Sequence, residues 1–177
     1  MANQPIRKKE NQSTQWPPRK PVCVGTVVLQ GEKALLIRQA RGHPLAGQWS
    51  VPWGMVETEE TPSVAALRET EEESGICARI EGLLGVQELP EEGWIGIIYL
   101  CRHVSGFPFP GDPDEVDAAS YFSLEEVNSF QEPLEPWSEW LVRRVLSKEF
   151  SYVLPVPDSP FQPRLAFFNT RGDLCRE

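Results

Sequence analysis

At 177 residues and 40% hydrophobic content, the chain has apolar material for one core of ordinary size and not for two. Lys and Arg number 17 against 26 Asp and Glu, a formal net charge of −9. That excess argues against nucleic acid or an anionic membrane surface as partner, since both are bound by clustered cations, and it sits awkwardly with any anionic substrate.

Residues 1–20 are polar and read as a loose arm; no apolar run follows Arg7, Lys8 and Lys9 as a secretory signal requires. Val22 to Leu29 and Ala34 to Arg38, joined by Gln30-Gly31-Glu32, predict a β-hairpin. A loop over Arg41 to Gly47 and a short strand near Trp49 to Val51 follow. Thr61-Pro62 reads as an N-cap with proline at the first helical position, and Gly75 as the left-handed residue past the C-terminus, which brackets a helix over Pro62 to Ser74. Strands are expected over Leu83 to Glu88, Trp94 to Val104 and Ala118 to Phe122, the last preceded by a Pro/Gly/Asp-rich loop, Phe107 to Asp114. Ser123 caps a short helix through Val127, and Pro136 opens a longer one to about Lys148, with Trp137, Trp140, Leu141 and Val145 on its apolar side. The Pro-rich extension 149–177 carries the apolar run Leu165 to Phe168.

The cysteines 23, 77, 101 and 175 form no C-x-x-C pair, which excludes a zinc ribbon or a thioredoxin-like motif. Cys23 and Cys101 lie in apolar runs and read as buried thiols. No run reaches the ~18 apolar residues of a membrane span, so a cytoplasmic protein without membrane contact is expected.

The chemistry concentrates on the first helix. On a helical wheel with Val64 at zero, Glu72, Glu69 and Glu73 share an arc of about 100°. Val64, Leu67 and Thr70 take the opposite side and are expected to face the core, while the small Ala65 and Ala66 lie on the acidic side and leave room for a ligand. Carboxylates ~6 Å apart repel by roughly 3 kcal/mol per pair at an effective dielectric of ~20, and Glu72 and Glu73 also oppose the helix dipole. A divalent cation reverses both penalties, and an all-oxygen ligand set suits Mg²⁺ or Mn²⁺.

Taken alone, Glu-Thr-Glu-Glu-Glu is a solvated acidic face. Its surroundings, GMVETEETPSVAALRETEEESGI from Gly54 to Ile76, resemble the Nudix box, G-x5-E-x7-R-E-U-x-E-E-x-G-U with U a bulky aliphatic. Gly54, Glu60, Arg68, Glu69, Glu72, Glu73 and Gly75 all match, a coincidence with odds on the order of 1 in 100,000. The likeness extends over about residues 21–148, through Gln48 to Gly54 on one side and Asp114-Glu115-Val116 on the other. There are two departures: Thr70 stands in an aliphatic slot, and Trp53 stands where many members have glycine.

The resemblance implies an α/β/α sandwich around a mixed sheet and metal-dependent hydrolysis of a nucleoside diphosphate linked to another group. It assigns Glu69, Glu72 and Glu73 to the metal, with Glu115 and the Trp53 carbonyl as further ligands, and Arg68 and Glu60 as an ion pair that orients the acids. Glu69 and Glu115 are both candidates for the general base. Arg38 and Arg41 are candidate phosphate contacts. Trp49 and Trp53 read as core or as a base-stacking surface, and His43 and His103 as structural. Pro90, fifteen residues after Gly75, resembles a downstream proline of ADP-ribose pyrophosphatases, and the expanded motif of NADH pyrophosphatases is not evident at Gln87 to Glu92. ADP-ribose, a nucleotide-sugar or a dinucleotide is the expected substrate; the alternatives are a nucleoside triphosphate pyrophosphohydrolase and a nucleotide-binding module without turnover. Many such proteins are homodimers, an assembly to which the arm and the extension could contribute.

Overall fold

A computed structural model describes residues 20–89 and 93–155. Nearly all of the expected arm, Pro90, and the extension beyond Pro155 lie outside these residues.

The predicted hairpin forms as β1 (Val22–Gln30) and β2 (Lys33–Gln39), turning at Gly31 with φ 62°. It does not stay zipped. β1 pairs β2 only at Leu29↔Ala34 and Gln30↔Lys33; further back, β3 (Trp49–Ser50) pairs β2 and β4 (Trp53–Met55) pairs β1. The segment through Pro52 is thus wedged into the opened hairpin, held by the Thr26 N–H donating to the Pro52 carbonyl at 3.0 Å.

On its other edge β1 runs parallel to β6 (Trp94–Gly106), which pairs antiparallel with β5 (Ile76–Leu89); β7 (Val116–Ser123) pairs antiparallel with β2. The sheet is therefore mixed, as expected. β5 starts at Ile76, directly after Gly75, rather than at Leu83, and β4 was not expected as a strand. Register shifts at Cys77/Ala78, Ile80/Gly82 and Leu83/Gly85 break the two-residue alternation by which the first half of β5 would be recognised.

Alternate residues of β1 face two cores. Val24 and Val28 pack with Ala65, Ala66 and Ile76 under α1 (Pro62–Ser74). Val27 packs with Leu36, Trp49, Leu141 and Val142 under α2 (Leu124–Asn128) and α3 (Pro136–Leu146). Helices thus cover both faces, the α/β/α sandwich. Each helix is capped as its sequence dictates: the Thr61 hydroxyl accepts from the Val64 N–H, Gly75 is left-handed at φ 68°, and Ser123 and Glu126 form a reciprocal capping box. Glu135 caps α3 by accepting from the Trp137 and Ser138 N–H groups. Past α3, Val153 exchanges two backbone hydrogen bonds with Leu83 at the free edge of β5.

One orientation is corrected. Val64 is 54% exposed, whereas Ala65, Ala66, Thr70 and Glu73 are buried. The helix rests on the side that carries the alanines and Glu73, because Ala65 and Ala66 let its backbone approach β1 closely. The Thr70 hydroxyl finds partners there, the Thr26 hydroxyl at 2.7 Å and the Ala66 carbonyl at 2.7 Å. Cys23 and Cys101 are buried thiols, and burial raises the Cys101 pKa.

Candidate active site

Two acids of α1, Glu69 and Glu73, are turned inward toward β4, while Glu72 stays exposed. Gly54 lies opposite Val24 in the β1–β4 ladder, and the Glu69 carboxyl fills the space where a Cβ at position 54 would stand. Glycine at this position is thus the condition for Glu69 to lie against the strand. One residue earlier, the Trp53 N–H donates to Glu73 Oε2 at 2.9 Å. The β4 backbone and two α1 carboxylates are therefore locked together.

Arg68 binds the rest. Its Nε and Nη2 form a fork on Glu60 at 3.2 and 2.8 Å, Nη2 also donates to the Met55 carbonyl at 3.1 Å, and Nη1 reaches Glu69 at 3.0 Å and Glu72 at 2.8 Å. The pairing of Arg68 with Glu60 is the one expected; the additional contacts to Glu69 and Glu72 make the arginine a hub. Glu60 is held below the usual carboxylate range, chiefly by its hydrogen bonds to Arg68.

Glu115 joins from the loop before β7. Its carbonyl accepts from the Ala40 N–H at 2.8 Å, and its own N–H donates to Asp112. The loop is also fastened to the end of α1, where the Phe109 N–H donates to the Ser74 carbonyl at 3.0 Å and the Phe109 ring lies against Gly75. The charge of Glu115 acts on both Glu69 and Glu73.

Burial pushes the Glu73 carboxyl well above its ordinary pKa; the Trp53 N–H opposes this, and Glu69, Glu115 and Glu72 add repulsion. Glu69 is raised for the same leading reason, with Arg68 opposing and Glu72 and Glu115 reinforcing. Among the described residues no three Asp, Glu, His or Cys side chains already stand as a metal-holding group. The donor chemistry nonetheless fits a hard divalent cation, since the facing carboxylates carry oxygen donors only and repel one another in a partly buried cleft.

The candidate phosphate contacts are placed differently. Arg38 Nε donates to Asp117 at 2.6 Å, its Nη1 donates to Glu132 at 2.8 Å, and the guanidinium lies over the Trp49 ring. Arg41 is exposed in the loop after β2. Trp49 is a core residue, 5% exposed, edge-to-face with Phe122 and Phe130. His103 Nδ1 is 2.8 Å from the Tyr121 hydroxyl, and His43 Nδ1 accepts from the Leu45 N–H.

A cavity of about 300 Å³ opens on the α3 face, lined by Trp53, Trp94, Trp137, Gln87, Leu89 and Glu135 among others. Nothing in the sequence marks it. Trp94 and Trp137 belong to different elements, and each alone reads as packing.

Comparison with known proteins agrees with this architecture. The NUDIX domain family matches residues 19–145. A MutT-like protein of Streptomyces ambofaciens is 32% identical over 113 residues, covering 63% of this chain and 70% of that one. An ADP-ribose pyrophosphatase of Methanocaldococcus jannaschii is 30% identical over 110 residues, covering 60% of this chain and 63% of its own length. A Nudix hydrolase structure from Nitrosomonas europaea superposes with a TM-score of 0.66 at 25% identity, covering 75% of this chain and 73% of that one. With the domain match spanning most of its length and the box residues gathered around β4 and α1, this chain belongs to the Nudix hydrolase family.

Proposed function

We propose that the protein hydrolyses the pyrophosphate bond of a nucleoside diphosphate derivative such as ADP-ribose, a nucleotide-sugar or a dinucleotide, with Mg²⁺ or Mn²⁺ as cofactor. The observation that supports this reading is the placement of Glu69 and Glu73 against β4, with Arg68 tying Glu69 to Glu72 and with the charges of Glu72 and Glu115 acting on both inner acids. Glu69, Glu72 and Glu73, with Glu115 and the Trp53 carbonyl, would hold the cation. When bound, it supplies charge neutralisation for an anionic phosphoryl group and favours ionised water as nucleophile.

The chain's own residues do the rest. Gly54 admits Glu69 to the strand, Trp53 holds Glu73 through its N–H, and the Arg68–Glu60 fork fixes the guanidinium that orients Glu69 and Glu72. Glu69 lies half-buried against β4 and is oriented by Arg68, which favours it as general base over the exposed Glu115. The tryptophan-lined cavity supports a substrate with a flat aromatic end. The name of the Methanocaldococcus relative supports ADP-ribose.

Product analysis by phosphorus NMR over ADP-ribose, NADH, sugar nucleotides and nucleoside triphosphates, with Mg²⁺ and then Mn²⁺, tests this. Release of a nucleoside monophosphate from one of the first three, AMP in the case of ADP-ribose or NADH, is the expected result. Pyrophosphate release from a triphosphate selects the alternative, and tight nucleotide binding without turnover selects the binding module.

A further inference from the structure

Thr70 fills a position where the box carries an aliphatic, yet it is fully buried, and so is its partner Thr26. Their hydroxyl oxygens lie 2.7 Å apart, and Thr70 Oγ1 also donates to the Ala66 carbonyl at 2.7 Å. Thr70 has one hydroxyl hydrogen, which goes to Ala66, so Thr26 donates and Thr70 accepts. This forms a directed chain from β1 through two hydroxyls to the α1 backbone.

Thr26 has a second attachment. Its backbone N–H donates to the Pro52 carbonyl at 3.0 Å, immediately before Trp53, whose N–H holds Glu73. One residue of β1 is therefore bonded to both halves of the site: the β3–β4 wedge through its backbone, and the acidic helix through its side chain. Thr70 is itself flanked in sequence by Glu69 and followed three residues later by Glu73.

We infer that Thr26 and Thr70 are positioning residues that set the height of α1 above β1, and through it the seating of Glu69 on Gly54 and of Glu73 on the Trp53 N–H. The inference rests on the reading of these glutamates as the cation-holding acids. Two hydroxyls in a hydrogen bond approach to 2.7 Å, whereas two methyl groups in contact stay ~4 Å apart. An aliphatic pair fills the same volume but holds the helix about 1 Å further out, a displacement of the size that costs one to two powers of ten in rate when it reaches reacting groups.

The test separates position from stability. Thr70→Val alone strands the Thr26 hydroxyl and is expected to lower the melting temperature. The double variant Thr26→Val/Thr70→Val removes both polar groups and is expected to melt within a few degrees of the native protein. It should nevertheless show a kcat reduced ten- to hundredfold, KM changed less than threefold, and a raised Mg²⁺ concentration for half-maximal rate. In the metal-free protein its Trp53 amide proton resonance should move upfield as the bond to Glu73 lengthens. Thr70→Ser, which keeps the hydroxyl, should restore both the rate and the resonance.

A double variant with native kcat and a native Trp53 amide shift overturns the inference. If the double variant does not fold, Thr26→Val alone, which leaves the Thr70–Ala66 bond in place, carries the same two readouts. Failure of the underlying reading looks different: Glu73→Gln would then turn over normally, while the Trp53 resonance still reports whether the threonine pair seats the helix.

Discussion

The Trp53 N–H donates to Glu73 Oε2 at 2.9 Å, so a backbone group of the shortest strand beside α1 holds the most deeply buried acid of the helix. A neutral amide at position 73 can still accept that bond through its oxygen, but it carries no charge into the cleft.

Glu73→Gln is therefore expected to separate stability from activity. The metal-free variant should melt a few degrees higher at neutral pH, a gain of about 1 kcal/mol from removing a buried, repelled charge. Turnover should fall about a hundredfold or more. Differential scanning calorimetry without metal and a product assay with metal check the two halves.

The pH dependence of the metal-free protein follows from the same group. Its folded pKa is raised above the ordinary 4.5, so the folded state binds more protons than the unfolded chain between the two values. This contribution is fully present below the unfolded value and is lost as pH rises through the folded one. The melting temperature should decline as pH climbs above about 5, and the decline should flatten in Glu73→Gln; parallel slopes in both proteins would contradict it.

Gly54→Ala places a methyl group where the Glu69 carboxyl lies. The carboxyl is the end of a flexible side chain, so the expected outcome is its displacement rather than unfolding: a melting temperature within a few degrees of native and a rate down by about a hundredfold. A crystal structure of the variant shows directly whether Glu69 has left β4.

Arg68→Lys keeps the charge and loses the fork. One ammonium cannot reproduce the bonds to Glu60, Glu69, Glu72 and the Met55 carbonyl together, so kcat should fall about ten- to a hundredfold although the charge is conserved. Steady-state kinetics alongside a melting curve checks this.

Arg38→Ala probes the other arginine. With Asp117, Glu132 and the Trp49 ring as its partners, its loss should cost about 1 kcal/mol of stability and leave KM unchanged within about twofold. A large rise in KM would return Arg38 to the substrate.

The helix bounds of α1 were legible because its cap and its stop are local chemistry: Thr61, Pro62 and Gly75 act within one turn of themselves. Its rotation was not. Periodicity favours Val64, Leu67 and Thr70 inside; Thr70 is buried and Leu67 packs at the edge of the core, but Val64 is exposed and the fold buries Ala65, Ala66 and Glu73 as well, choosing close approach to β1 over side-chain volume. The box identified the acids and Arg68, but the Trp53–Glu73 bond involves a backbone donor, which sequence does not mark. The tryptophan cavity was hidden for another reason: its three tryptophans come from β4, β6 and α3 and further walls from β1, β3 and β5, and only the packing of elements far apart in sequence brings them together.

Trp53 and Gly54 are neighbours on β4, and adjacent residues of a strand look to opposite sides. Gly54 meets the glutamates beneath α1; Trp53 lines the aromatic chamber beneath α3. The strand between them is a partition one backbone thick. The carboxylates and the aromatic cavity therefore stand back to back, so a side-chain change at position 54 and one at position 53 are felt on opposite faces of the sheet.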